Sequence, residues 1–390
     1  MSQSNQKPWL SIEEQIQLLK DRNLIIENEI YAKNILSRIS YYRLISYRFP
    51  FCQEKDKNIF KDGTKFEDLV NLYNKDSEYQ ALLYQVLKEI EIFFRTQLIY
   101  CFAKQDIWFY KDRSKLNQKD KEAKRNVDSY IKKMNDSVCN ETNVHISYYI
   151  EQHDKGIAPY KIPNCKYSYK EMGLLCNKCR KKGEKLDSTC SDDKCNGRIV
   201  KVRLCKCYPK AWVSLESFDF GMLIDLYSGI NGFINKSEIS SKYLECDIEF
   251  GKFFNIDEKY LYNKDKRPFL DLLRDIKVIR NIIAHHDKVI DRYSFKEAKS
   301  IDFLKIHYEK DNKVLELLND MNTYRHTFLP YFLVIKYFLD IMFQKDPNLG
   351  YQVNIFTRFL DFSKLNTEIL SLDNLPKEVF EPSRERTVIS

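Results

Sequence analysis

The chain has 390 residues, 43% hydrophobic and 14% aromatic, with 64 Lys+Arg against 56 Asp+Glu for a formal net charge of +8. That exceeds the roughly 100–200 residues of an ordinary domain, so two or more units, or one core carrying an insertion, are expected. With only 10 Gly and 10 Pro it has too few turn formers for a β-sandwich or barrel, and its Leu/Ile/Lys/Glu-rich stretches predict a mainly α protein.

In chain order, Ser11-Ile-Glu-Glu14 has capping-box spacing and opens an amphipathic helix, IEEQIQLLKDRN. A second helical run is predicted through AKNILSRISYYRLISYRF, and residues 51–64 read as a polar loop. The stretch 66–104 predicts one long helix, with Leu83, Val86, Leu87, Ile90 and Phe94 on a single stripe. Residues 110–134 are charged and predict a mobile loop or an exposed helix. Helical periodicity resumes at Trp212, returns from Pro268 to Ala284 and again from Thr327 to Phe343, while the last fifteen residues read as loosely held.

The stretch from Thr327 to Phe343 is the most apolar of the chain, but Pro330, Lys336 and Asp340 interrupt it. It falls short of the roughly 20 apolar residues of a membrane span and predicts a core helix. No signal peptide is read at the N-terminus, so a cytoplasmic location without membrane contact is expected.

Seven of the 11 Cys fall between Cys165 and Cys207. Cys176-Asn-Lys-Cys179 and Cys190-Ser-Asp-Asp-Lys-Cys195 form two knuckles, and four thiolates in two short pairs suit a tetrahedral Zn²⁺. The following Asn-Gly and alternating RIVKVRL predict a turn and a short strand, hence a small inserted β-rich module resembling a zinc ribbon. Its second knuckle is longer than the usual two-residue spacing. Cys165, Cys205 and Cys207 are spare ligands. A redox CxxC would need a βαβ context, which the surrounding sequence lacks. Four Cys leave no open position, so the zinc is read as structural. Residues 165–210 hold 13 Lys+Arg against 5 Asp+Glu, a difference of +8 that equals the net charge of the whole chain. Such a basic module points to a polyanionic partner or to a solvated Lys-rich surface.

RNIIAHHD, residues 280–287, carries two of the six His. Pro268 suits a first helical turn, and Phe269, Leu272, Leu273, Ile276, Ile279 and Ile283 form one apolar stripe. Arg280 falls within that stripe by angle, while Asn281 and His285 share the adjoining face. Three roles are open: a metal site, for which more ligands would be wanted; a structural Arg capping a neighbouring helix; and metal-free phosphodiester chemistry. In the last, Arg280 holds a phosphate and its developing charge. His285, of the residue type that ordinarily exchanges protons near neutrality, serves the ribose 2′-OH and the leaving oxygen. His286 either shares the proton work or caps the helix.

Arg280-Asn281-Ile-Ile-Ala-His285 resembles the R-polar-x3-His signature of HEPN-domain ribonucleases. KPWLSIEEQIQLL, ISYYRLISYRFPF, FEDLVNLYNKD, IEIFFRTQL and YPKAWVSLESFDFGML are similar, in order, to segments of the Abi-like (Abi_2, AbiD/AbiF-type) abortive-infection family. The resemblance spans about residues 7–295 apart from the cysteine module. It implies a HEPN-type helical bundle, divided as a core part at 1–164, the zinc-ribbon-like insertion at 165–208, the rest of the core at 209–300 and a helical extension at 301–390. It further implies an endoribonuclease of a phage-defence or toxin–antitoxin system, needing no metal for catalysis and controlled by a small noncoding RNA. A homodimer in which two motifs share a cleft is also implied. Glu91 and Arg95 become candidates to pair with Arg280 or touch phosphate, or to serve packing alone. Cys101 stands where relatives carry His, and Asp291 where they often carry Asn. The rival readings are a HEPN scaffold that binds RNA without cutting it and a zinc-ribbon regulator that binds DNA.

Overall fold

The computed structural model of the protein describes residues 9–53, 58–111, 116, 121–138, 143–146, 148, 209–231, 241–254, 256, 268–292, 294–324, 326–345 and 351–381. Its helices are α1 (Ile12–Asp21), α2 (Glu29–Arg38), α3 (Tyr41–Ile45), α4 (Phe66–Ala103), α5 (Lys121–Val138), α6 (Ala211–Ser214), α7 (Phe220–Asn231), α8 (Ser241–Phe253), α9 (Pro268–Ala284), α10 (Ile301–His307), α11 (Asn312–Asn319), α12 (Met321–Tyr324), α13 (Leu329–Lys345), α14 (Tyr351–Leu365) and α15 (Thr367–Leu370). The mainly α expectation holds. Among the described residues there is no strand, only isolated bridges at Ile25–Lys65 and Cys52–Phe60. The expected β-rich cysteine module lies outside the described residues.

Packing divides the chain into Met1–Phe94 with Gly251–Ser390, and Arg95–Phe250. The sequence-based boundaries at 164 and 208 fall at residues outside those described.

The first unit begins with the predicted capping box. The Ser11 side chain accepts from the Glu14 N–H, and the Glu14 carboxylate takes the Ser11 N–H at 2.7 Å. α1 and α2 pack together over Ile16, Leu19, Leu24, Ala32 and Leu36, a core that continues through Leu44, Ile45, Phe60 and Phe66. The run expected from residue 32 to 49 breaks in two. Ile39 and Ser40 turn extended between α2 and α3, where a β-branched residue and a serine both favour leaving the helix.

The long helix forms as expected, and Leu83, Val86, Leu87, Ile90 and Phe94 are all buried. α9 packs on α10 and α13. Every residue of α13 from Leu329 to Phe343 is buried, each large apolar side chain contributing about 1.5–3 kcal/mol. Lys336 and Asp340, one turn apart and both buried, neutralise each other within it. The expectation of a loose C-terminus is corrected up to residue 381: Val379 and Phe380 are buried, Phe380 against Phe332 at 5.4 Å between ring centres. Two apolar side chains among polar neighbours suffice to tack this segment down.

In the second unit α5 packs on α7. The charged stretch hides an apolar edge, because Val127, Tyr130, Met134 and Val138 are buried at helical spacing. Tyr110 ties the unit together, donating to the Pro209 carbonyl and accepting from Ser214 Oγ at 2.7 Å. No helix among the described residues is long and apolar enough to cross a membrane.

Candidate functional site

α9 buries Phe269, Leu270, Leu272, Leu273, Asp275, Ile276, Ile279, Ile282 and Ile283. At roughly 100° per residue, the buried arc rotates along the helix. It is centred near Ile276 and Phe269 in the first three turns and on Ile279, Ile282 and Ile283 in the last. That rotation corrects one expectation: Arg280 leaves the apolar stripe and is exposed, as are Asn281, Ala284 and His285. Among the described residues none hydrogen-bonds the side chain of Arg280, Asn281 or His285. The exposed arc therefore offers a guanidinium, a carboxamide and an imidazole to solvent within two turns.

The helix ends on a Schellman motif. His286 N–H donates to the Ile283 carbonyl and Asp287 N–H to the Ile282 carbonyl, both at 2.9 Å. His286 sits at the left-handed position with φ of 55°, which glycine ordinarily takes and where His is tolerated at some strain. Its carbonyl accepts from Arg43 Nη1 at 2.7 Å.

The segment after the helix is fixed by a fully buried carboxylate on α4. Asp76 Oδ1 accepts the N–H groups of Val289 at 3.1 Å and Ile290 at 2.8 Å. Its Oδ2 accepts from Tyr47 Oη at 2.6 Å and Gln80 Nε2 at 2.7 Å. Burial pushes the Asp76 carboxyl above the usual carboxylate range, and these four donors oppose that by favouring the charged form. Lys288 is also held from several sides: its ammonium reaches the Ser46 carbonyl and Asp291 Oδ2, each at 3.0 Å, and lies over the Tyr47 ring. Burial pulls its pKa down, and Asp291 partly restores it. Asp291 itself has φ of 52°. Asn and Asp are the residues most at ease there besides Gly.

Two cavities meet at His286. One, about 730 Å³, is lined by Tyr42, Arg43, Phe49, Lys288 and Arg292 together with Asp287 and Asp291. The other, about 1040 Å³, is lined by Arg38, Arg43, Tyr84 and Lys88 with Ile283, Ala284 and His286, and among the described residues no carboxylate lines it.

The other sequence candidates are placed as follows. Glu91 lies on α4 one turn beyond Lys88 and is half-buried. Arg95, in the second unit, donates to the Phe218 carbonyl at 3.1 Å and lies 3.8 Å from Glu216, so its guanidinium braces backbone. Cys101 is buried, as a packing thiol is. Cys176, Cys179, Cys190 and Cys195 lie outside the described residues. His307 is packed among Phe303, Tyr308 and Tyr337, and His326 Nδ1 pairs with the Phe295 carbonyl at 2.9 Å.

Sequence reasoning missed Arg43, Asp76, Tyr84 and Lys88. A signal for Asp76 was present: it is a charge at a burying position, four residues after Leu72 and three before Tyr79.

Comparison with known proteins adds one finding. A family model described as Abi-like protein matches residues 34–291, about two thirds of the chain. No curated protein matches, and no solved structure does.

Proposed function

This chain belongs to the Abi-like protein family, which points to abortive infection as a phage defence, and from that premise we propose that it is a HEPN-type endoribonuclease. The observation that carries the reading is the exposed arc of α9, where Arg280, Asn281 and His285 stand without protein partners among the described residues. Side chains this polar, held together on one helix and open to solvent, are free to engage a ligand.

In the proposed reaction Arg280 binds the phosphate in two places and stabilises its added negative charge. His285 manages the proton. The ribose 2′-oxygen attacks phosphorus as its hydrogen is removed, the new P–O2′ bond replaces P–O5′, and the departing 5′-oxygen is protonated. The products are a 2′,3′-cyclic phosphate and a 5′-hydroxyl. Asn281 orients the phosphate or a ribose oxygen. Nothing in this route needs a metal ion. Cys176, Cys179, Cys190 and Cys195 supply the donor set for a structural Zn²⁺, and their basic module grips RNA. A homodimer joining two motifs and a small regulatory RNA complete the system, with control of a cytoplasmic toxin as its purpose.

Arg280→Ala and His285→Ala should each lower cutting of RNA by at least about 10²-fold, while cleavage persists in EDTA over times too short to strip structural zinc. Cutting that survives both substitutions, or products ending in a 3′-hydroxyl, overturns the reading. Wild-type protein that binds RNA and leaves it whole would instead establish the non-cleaving scaffold.

A further inference from the structure

We infer that the cavity bounded by Arg38, Arg43, Tyr84 and Lys88 binds single-stranded RNA beside the scissile link, with a base on Tyr84 and backbone phosphates on the three cations. The inference rests on the reading of α9 as the cutting element and adds the strand's path and its single-stranded state.

Three observations converge on it. The first is charge: Arg38, Arg43 and Lys88 line the cavity and, among the described residues, no Asp or Glu does, whereas the neighbouring cavity carries Asp287 and Asp291 among its cations. A polyanion is thus favoured in one cavity and partly opposed in the other. The second is Tyr84, which is 61% exposed and lines the cavity together with Arg38, Arg43 and Lys88. A large exposed ring set among cations is the arrangement that stacks unpaired bases; a paired base keeps its faces inside the duplex and cannot use it.

The third is alignment. At roughly 100° per residue, Ser77, Gln80, Ala81, Tyr84, Lys88 and Glu91 fall within one arc of α4 about 100° wide. The first five line the cavity, and Glu91 continues the row. The opposite wall includes Ala284 and His286, and Ala284 lies between Arg280 and Asn281 on the exposed arc of α9. The cavity therefore opens beside the reactive arc. About 1040 Å³ is room for one or two nucleotides on the scale of ordinary ligand sites. Arg43 has a double duty, since it also holds the His286 carbonyl.

The test uses the full chain carrying His285→Ala, so that RNA is not consumed, and a fluorescein-labelled randomised RNA of about 12 nucleotides. Anisotropy should show preference for the single strand over a duplex of the same length. Tyr84→Ala should weaken binding by about tenfold with little change in salt dependence. Arg38→Ala with Lys88→Ala should weaken it and lower the slope of log K against log salt by about 1.4, or 0.7 per phosphate contact. Circular dichroism checks that each variant is folded, and all three side chains are exposed. Duplex bound as tightly as single strand, no binding of either, or Tyr84→Ala binding unchanged overturns the inference. The two readings fail separately. If wild type cuts RNA but Tyr84→Ala alters neither binding nor cutting, the cavity is wrong and the nuclease stands. If binding depends on Tyr84 while wild type cuts nothing, the reverse holds.

Discussion

Removing the Asp76 carboxylate should unfasten the segment that follows the RNIIAHHD helix. In Asp76→Ala the N–H groups of Val289 and Ile290 and the hydroxyl of Tyr47 lose their acceptor, and all three residues are at most 2% exposed. A buried donor left without a partner costs about 1–3 kcal/mol. Three of them, with some relief from water entering the space, give a destabilisation of about 3–6 kcal/mol. Gln80 is half-buried and can turn to solvent, so it adds little. Asp76→Asn keeps the shape and one oxygen for the two backbone donors but loses the charge that strengthens them, for about 1–2 kcal/mol. Chemical denaturation gives the order of the three proteins. A chain of two compact units need not unfold in one step, so the decisive reading is amide exchange at Val289 and Ile290. It should accelerate about tenfold in Asp76→Asn, as 1.4 kcal/mol of local opening requires. If Asp76→Ala stays within about 1 kcal/mol of wild type, or if exchange at those two amides does not change, the carboxylate is not what fastens the segment.

Three further outcomes are expected. His286→Gly should stabilise the protein by about 0.5–1 kcal/mol, because about 1–2 kcal/mol of left-handed strain is relieved and part is returned to the freer unfolded chain; a lowered denaturation midpoint would contradict the assignment of strain there. Burial among aromatic rings, and next the charge of Lys336, push His307 down to about 4. Its folded pKa lies below its ordinary value, so the unfolded chain takes the proton first. The stability it contributes is therefore full above about pH 6.5 and lost as pH falls toward 4, by on the order of 3 kcal/mol. His307→Gln should flatten that acid limb relative to wild type, and an imidazole titrating near 6.5 by NMR would refute it. Elemental analysis should find about one zinc per chain, lost in Cys176→Ser; a metal-free preparation with an unchanged melting temperature would remove zinc from the account.

Much of the architecture was legible because periodicity reports burial directly. The stripes of α4 and α9 and the apolar run of α13 each fold as their spacing dictates. The capping box at Ser11 was equally readable, since both its bonds are local. What spacing could not give was where a burying partner stops. Arg280 shares an angle with Ile276, yet the last turns of α9 bury a rotated arc, and only the neighbours of that helix decide this. The same rule, that a charge on an apolar stripe must be satisfied, applies with full force to Asp76, whose partners lie 29 and 213 residues away in sequence. Arg43 and Tyr84 were unreadable for a different reason. Each occupies an ordinary surface position of its own helix, and only the assembly of distant segments puts them beside His286.

Among the described residues, every group lining the two cavities comes from residues 38–88 or 283–294, and both stretches belong to one compact unit while positions 95–250 form the other. Arg43 and Asp76 clip the early stretch to the late one across more than two hundred residues. The candidate site is thus assembled from two stretches that flank a second compact unit in the sequence. A break in either flank should therefore disturb both cavities at once, however far apart the two stretches lie in the chain.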